Sequence, residues 1–321
     1  MKYQVNVILA AFNGIKYIEE QLNSIIDGDY PYVKVWVFDD GSTDGTDDFI
    51  REYEKKYPKK ISFYKNTENK GLTKNFLEGV IMVSDKVKES SSTDQTTHYF
   101  MYSDQDDYWH KDKISRTLLK LRSTEKKYGY HKPIAVYTDA LVVDENLGLM
   151  NASFHKSNNL DVTKTDLPHL LMENKLIGCT MMFNQELVKK LGNQLNDDIR
   201  YHDWWVALIA ATFGHIGYLK ESTISYRQHG KNIVGDQSFQ KYVLNRLKNL
   251  KDQRSAIEKN ILQAQLFYKI YGDSLNSSDR LIIKKFININ SQNWFGKRVT
   301  IIKNGYLKTG FIRNFGLFIC L

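Results

Sequence analysis

Four short segments gather the residues that can do chemistry. Asp39-Asp40-Gly41-Ser42-Thr43-Asp44 follows directly on an apolar run, Val33–Phe38. A carboxylate at such a strand end can accept hydrogen bonds from a pyrimidine N3–H or from ribose hydroxyls. Gly41 permits a tight turn, and Ser42 or Asp44 can cap the next helix; turn and cap alone are the plainer alternative. Ser103-Asp104-Gln105-Asp106-Asp107 puts three carboxylates within four positions, where they repel one another and require a nearby cation. Hard divalent ions bind through one or two carboxylates plus substrate phosphates, which favours a metal over a solvated acidic loop. Tyr201-His202-Asp203-Trp204-Trp205 sets a carboxylate beside two large aromatics at a helix start. Asp203 there suits a general base of raised pKa or a plain N-cap, and the two indoles suit a sugar face or the core. Tyr226-Arg227-Gln228-His229-Gly230-Lys231-Asn232 offers Arg and Lys for a diphosphate and a neutral His for a metal, unless the His is structural.

These segments must be held by the elements between them. Val5–Ala10 is a continuous apolar run suited to a strand buried on both faces, and Val33–Phe38, Ile61–Tyr64 and His98–Tyr102 repeat the pattern. Helical periodicity follows each: Ile18–Ile26, Ser42 through about Tyr57, Thr73–Val83 and Ile114–Tyr128. The polar Ser84–Thr97 stretch reads as a loop. Strands alternating with helices at this spacing predict βαβ units and a mostly parallel sheet, with ligands at the carboxyl ends of the strands. The polar segments stand at those ends. Ile134–Thr138, Leu176–Phe183 and Ser222–Tyr226 read as further strands, with a helix around Trp204–Thr212. Beyond Phe239 the pattern becomes long helices, the first from Tyr242 to Tyr271.

Composition narrows the class. The 321 residues are 42% hydrophobic and 26% charged with four prolines, a folded protein rather than a disordered or collagen-like one. Two cysteines, Cys179 and Cys320, make neither a disulfide framework nor a four-thiolate zinc site. No signal peptide or spanning apolar run is evident, which predicts a cytoplasmic protein. Net charge is +8, yet residues 240–321 hold fifteen Lys/Arg against four Asp/Glu, so the basicity belongs to the tail. Phe286–Leu321 interleaves Lys284, Lys285, Lys297, Arg298, Lys303, Lys308 and Arg313 with Trp294, Phe295, Tyr306, Phe311, Phe315 and Phe318 in and just before it, suiting an anionic membrane surface, with a basic helical face packed on the catalytic domain or on a second subunit as the plainer alternative. Nucleic acid is a poor partner, because the acidic clusters repel phosphate. P-loop, G-x-G-x-x-G, G-x-S-x-G and H-E-x-x-H motifs are all absent.

In order, NVILAAFNG, VFDDGSTDGT, NKGLTKNF and YSDQDDYWHKDKI resemble the inverting family 2 glycosyltransferases of the GT-A fold. YSDQDDYW, YHDWW and YRQHGKNIVG look most like bacterial rhamnosyltransferases of cell-wall and capsular polysaccharide assembly. The resemblance spans about residues 3–235. It implies a catalytic domain over 1–238, with a nucleotide-sugar half to about 110 and an acceptor half from 111, and a basic helical region over 239–321. It further implies a sugar donor linked to dTDP or UDP, held by Ala10, Phe12, Asn13, Asp40, Lys70, Lys74, Asp104, Gln105 and Arg227. Mg²⁺ or Mn²⁺ falls on Asp104, Asp106 and His229, and the base on Asp203. Trp204, Trp205, Cys179 and Thr180 fall at a lipid-linked glycan acceptor, on the inner face of the membrane. Ala10 and Phe12 stand where members often carry Thr or Ser and Tyr, so base contacts there would come from backbone. A homodimer through the long helices and a non-catalytic nucleotide-sugar scaffold are the remaining alternatives.

Overall fold

A computed structural model of the protein describes residues 2–90, 96–230 and 250–321. Strand β1 (Lys2–Ala11) is buried along most of its length, and α1 (Ile18–Ile26) carries the chain to β2 (Val33–Asp39). Helix α2 (Thr46–Lys56), β3 (Ile61–Lys65), α3 (Leu72–Ser90) and β4 (Thr96–Ser103) complete two further crossovers. These strands pair in parallel in the order β3-β2-β1-β4. Alternate side chains of β1 feed two cores. Ile8 and Ala10 pack with Trp36, Phe38 and Phe76 on one face, and Val5, Val7 and Leu9 with Val35, Ile18 and Leu22 on the other. A strand buried on both sides reads as an unbroken apolar run for this reason.

The second half begins with β5 (Tyr108–Trp109), α4 (Lys113–Tyr128), β6 (Ile134–Val143) and β7 (Leu149–Asn151). Two short helices, α5 (Phe154–Ser157) and α6 (Leu167–Met172), lead to β8 (Met181–Asn184) and α7 (Gln185–Leu191). Then come α8 (His202–Phe213) and β9 (His215–Arg227). β8 inserts antiparallel between β4 and β6, and β6 pairs with β9 in parallel, so one nine-stranded, mostly parallel sheet joins the two halves.

Two expectations give way. The Ser84–Ser90 part of the expected loop is helix, because Val83 and Val87 continue the buried Phe76–Val80 stripe beneath polar residues. Leu176–Phe183 is not one strand: Gly178–Thr180 forms a 3-10 turn before β8. A Cβ at Gly178 would lie 2.5 Å from His202 Nε2, so the close approach demands glycine.

The C-terminal helices are α9 (Leu250–Tyr271), α10 (Ser277–Ile287), α11 (Trp294–Asn304) and α12 (Phe311–Cys320). The expected helix residues 242–249, like Lys231 and Asn232, lie outside the described residues. Helix α9 packs directly on α8, with the Trp205 and Phe267 ring centroids 5.3 Å apart, and Asn260 Nδ2 donates to the Met172 carbonyl at 2.9 Å. Ile261, Phe286, Ile301 and Leu317 belong to the same core as β1 and β4. Among the described residues no helix is long and apolar enough to cross a membrane.

Candidate active site

The carboxyl ends of β1, β2 and β4 open into a cavity of about 1150 Å³ that extends past the start of α8 to the C-terminal helices. On the β1–β2 side, loops are held by side chains accepting from backbone. Asp39 is fully buried and accepts from the Gly41 and Ser42 N–H groups at 3.2 and 3.0 Å and from the Ser42 hydroxyl. It shapes the turn. Asp40 lines the cavity; its Oδ1 accepts from Asn66 Nδ2 and the Lys70 N–H at 2.8 and 2.9 Å, and its Oδ2 from the Gly71 N–H at 2.9 Å. A carboxylate has about four acceptor sites, so Asp40 keeps capacity toward a ligand. Asn13, at φ 50°, accepts the Thr43 N–H at 2.8 Å and ties the first loop to the second.

Four expected donor residues are placed otherwise. Gln105 accepts the Phe12 N–H at 2.8 Å and donates to its carbonyl at 3.0 Å, so that backbone is already engaged and Phe12 offers the cavity its half-exposed ring instead. Lys70 and Lys74 turn away from the cavity toward Glu78, at 2.7 and 3.9 Å. Arg227 is buried behind the wall: its Nε donates to the Asp106 carbonyl at 2.7 Å, Nη1 to the Glu145 carbonyl at 2.5 Å and Nη2 to Glu20. It braces the acidic loop rather than facing a diphosphate.

Asp104, Asp106 and His229 line the cavity, with Asp106 Oδ2 2.8 Å from His229 Nε2 and the His229 ring stacked on Tyr17. Asp107 lies behind them; its Oδ1 accepts the Arg227 N–H at 3.0 Å, and its buried Oδ2 has no partner among the described residues. Burial, then the neighbouring Asp106, push Asp104 up to about 7 and Asp107 well above the carboxylate range. Buried Lys113, pulled down to about 8 by desolvation, donates to Thr223 rather than to these acids. Clustered carboxylates of like charge fit a hard divalent cation: Asp104 and Asp106, with His229 alongside, face the cavity, while the orphaned buried oxygen belongs to Asp107 behind them. One ligand atom each from Asp104, Asp107 and Cys179 fall within 4.8 Å of one another. Burial holds the Cys179 thiol protonated, however, and a thiol is a poor ligand.

Across the cavity, Asp203 stands in the first turn of α8, whose N-cap is Tyr201, so the plain N-cap role is excluded. Its Oδ1 accepts from Asn174 Nδ2 at 3.1 Å and the Trp204 N–H at 2.6 Å, and its Oδ2 from the Gly178 N–H at 3.1 Å. Burial outweighs these bonds and raises Asp203 to about 7. Trp204 reaches the cavity wall with its Nε1 donating to the Leu170 carbonyl at 2.6 Å. Trp205, expected at the acceptor, is core against Phe267 and Tyr271, and Cys179 and Thr180 are fully buried in the 3-10 turn behind the wall.

Sequence reasoning missed His202. Its ring stacks on Phe76 at 4.1 Å, both nitrogens lack partners among the described residues, and burial pulls it down to about 3, so it is neutral. Asn174, Lys175, Arg200, Lys308 and Arg313 also line the cavity. Only His202 had a local signal, its place beside Asp203; the others reach the wall through tertiary packing.

The model of the glycosyl transferase family 2 domain matches residues 6–172. A dTDP-rhamnosyl transferase of Shigella flexneri, RfbG, is 30% identical over 237 residues, 71% of this chain and 73% of its own. The candidate teichuronic acid biosynthesis glycosyltransferase TuaG of Bacillus subtilis is 26% identical over 73% of this chain and 82% of its own. Among solved structures, S. aureus TarS residues 1–349 superimpose with a TM-score of 0.50 at 14% identity, covering 95% of this chain and 89% of that one. The Pyrobaculum calidifontis mannosyltransferase PcManGT, solved with GDP-Man and Mn²⁺, gives 0.51 at 18% identity over 95% and 74%. These likenesses are of fold.

Proposed function

Since the chain belongs to glycosyl transferase family 2, we propose that it is a metal-dependent inverting transferase that moves L-rhamnose from dTDP-L-rhamnose to a lipid-linked glycan. The setting is polysaccharide assembly at the inner face of a membrane. One observation carries the reading: Asp203, held near 7 by burial, shares a single cavity with Asp40 and the Asp104–Asp106 pair. Asp203 removes the proton from an acceptor hydroxyl as that oxygen attacks the anomeric carbon from the face opposite the diphosphate. The new C–O bond forms as the bond to the diphosphate oxygen breaks, inverting the centre. Asn174 and the Gly178 N–H keep the carboxylate aimed. Asp104 and Asp106 would hold Mg²⁺ or Mn²⁺, which would supply positive charge beside the leaving diphosphate. Asp40 takes the base or ribose, and the exposed Phe12 ring a stacking face.

The rhamnosyl choice is supported by the relative named for dTDP-rhamnosyl transfer; a UDP-hexose or UDP-N-acetylhexosamine donor is the second reading, because sugar choice depends on pocket shape. Calorimetry with dTDP and UDP, with and without Mn²⁺, separates them. Metal-dependent binding that prefers dTDP and is lost in Asp106→Ala is the expected result. Preference for UDP moves the donor, and no binding of either overturns the enzyme class.

A further inference from the structure

The basic tail divides into two faces. Phe286 and Tyr306 are fully buried, and on α12 Arg313, Leu317 and Cys320 point inward at i, i+4 and i+7. Opposite them Phe311, Phe315 and Ile319, at i, i+4 and i+8, are exposed, Phe311 by 84%. An apolar helix stripe calls for an apolar or interfacial cover, and α12 carries one on its outer side, Phe311, Phe315 and Ile319, that the rest of the described protein leaves uncovered. The uncovered face continues onto α11. Arg298 donates to the Phe318 carbonyl at the end of α12 and to the Trp294 carbonyl at 2.6 Å, with its guanidinium 3.7 Å over the Trp294 ring. Trp294 and Phe295 are both about two-thirds exposed.

We propose that α12 and the first turn of α11 form a docking face for an anionic lipid surface, and that this face sets the acceptor end of the cavity against the membrane. Charge decides the occupant. Apart from Lys308 and Arg313, which face the cavity, there are six Lys/Arg from Arg280 to Lys303, and no Asp or Glu follows Asp279. A two-fold contact between copies would press this cationic edge against itself, which like-charge repulsion disfavours. Anionic headgroups complement it, while Trp294 and the phenyl rings suit the headgroup boundary. A ten-residue helix of about 15 Å lies in such an interface and does not span it.

The inner side of the same segment meets the site. Arg313 donates to Glu173 Oε1 at 3.2 Å and to the Asn158 carbonyl at 2.6 Å, and Arg313 and Lys308 line the cavity. Docking through α12 thus presents its opposite face to the acceptor. The second half of the proposal rests on the reading of a lipid-borne acceptor; the first does not.

The full chain is sedimented with vesicles of phosphatidylglycerol plus phosphatidylcholine and with phosphatidylcholine alone. Wild type is expected to pellet with the anionic vesicles, and Phe311→Glu/Phe315→Glu to lose about tenfold or more in partitioning. Donor nucleotide affinity and melting temperature should stay unchanged in that variant. Trp294→Ser, a milder change, should lose several-fold. Wild type left in the supernatant, or variants that pellet as well as it does, overturn the docking face. So does light scattering that finds a dimer dispersed by the double variant without vesicle binding. Vesicle binding by a protein that takes up no nucleotide would leave the face standing and sink the transferase reading.

Discussion

The two sides of the cavity are finished to different degrees. On the donor side, Asp40, Asp44 and Asn13 each accept a backbone N–H from a neighbouring loop and Asp39 one from its own turn, so these segments lock one another without a ligand. On the side of α8, proposed to take the acceptor, the cavity-lining residues His202 and Lys175 have their ring nitrogens and ammonium buried without hydrogen-bond partners among the described residues. Buried polar groups left unpaired are costly, and a ligand that pairs them recovers that cost. The contrast assigns preorganisation to the proposed nucleotide side and ligand choice to the proposed acceptor side.

The largest expected effect tests the base between them. Asp203→Asn should lower kcat by about 10²–10⁴ while leaving dTDP affinity within about twofold; a loss in affinity alone would break the division. Since burial raises Asp203 to about 7 and the base acts deprotonated, wild-type kcat should climb with pH through about 7 and then level. A raised folded pKa adds stability that is lost as pH rises through it. Asp203→Asn should therefore resist denaturant relatively better above that pH than below about 4.

Asp40→Ala comes next. It strands the Lys70 N–H and leaves the Gly71 N–H and the Asn66 amide with Asn69 and Asn75 as their remaining acceptors, and should cost about 1–3 kcal/mol in chemical denaturation together with weaker nucleotide binding. Unchanged stability would show that the donor loops are not self-locking.

His202→Phe is the mildest change and sharpens the other half of the contrast. It keeps the stack on Phe76 and removes only the unpaired nitrogens. Acceptor KM should rise about two- to tenfold, with nucleotide affinity and stability undiminished. A fall in stability instead would mean that the nitrogens serve the fold.

Much of this was legible in the chain. Apolar runs flanked by polar turns located β1 to β4, and the acidic clusters lay at their carboxyl ends because parallel strands separated by helices can put them nowhere else. Polar composition misled at Ser84–Ser90, where a buried stripe of one residue in three or four is enough to make a helix. Trp205 misled in the other direction: the residue beside it in sequence faces the cavity, but a helix turns each successive side chain by about 100°.

By itself the sequence determined the strand–helix alternation, the carboxylates at Asp40, Asp104, Asp106 and Asp203 as candidates, and the cationic, acid-free tail. These follow from local periodicity and residue chemistry. Tertiary structure alone decided that Arg227 braces the acidic loop from behind the cavity wall, that Lys70 and Lys74 turn toward Glu78, and that α12 walls the cavity with one face while exposing the other. Such outcomes depend on which distant groups meet, such as Arg227 with Glu20 or Arg313 with Glu173. The long-range packing that brings them together leaves no periodic mark on either segment.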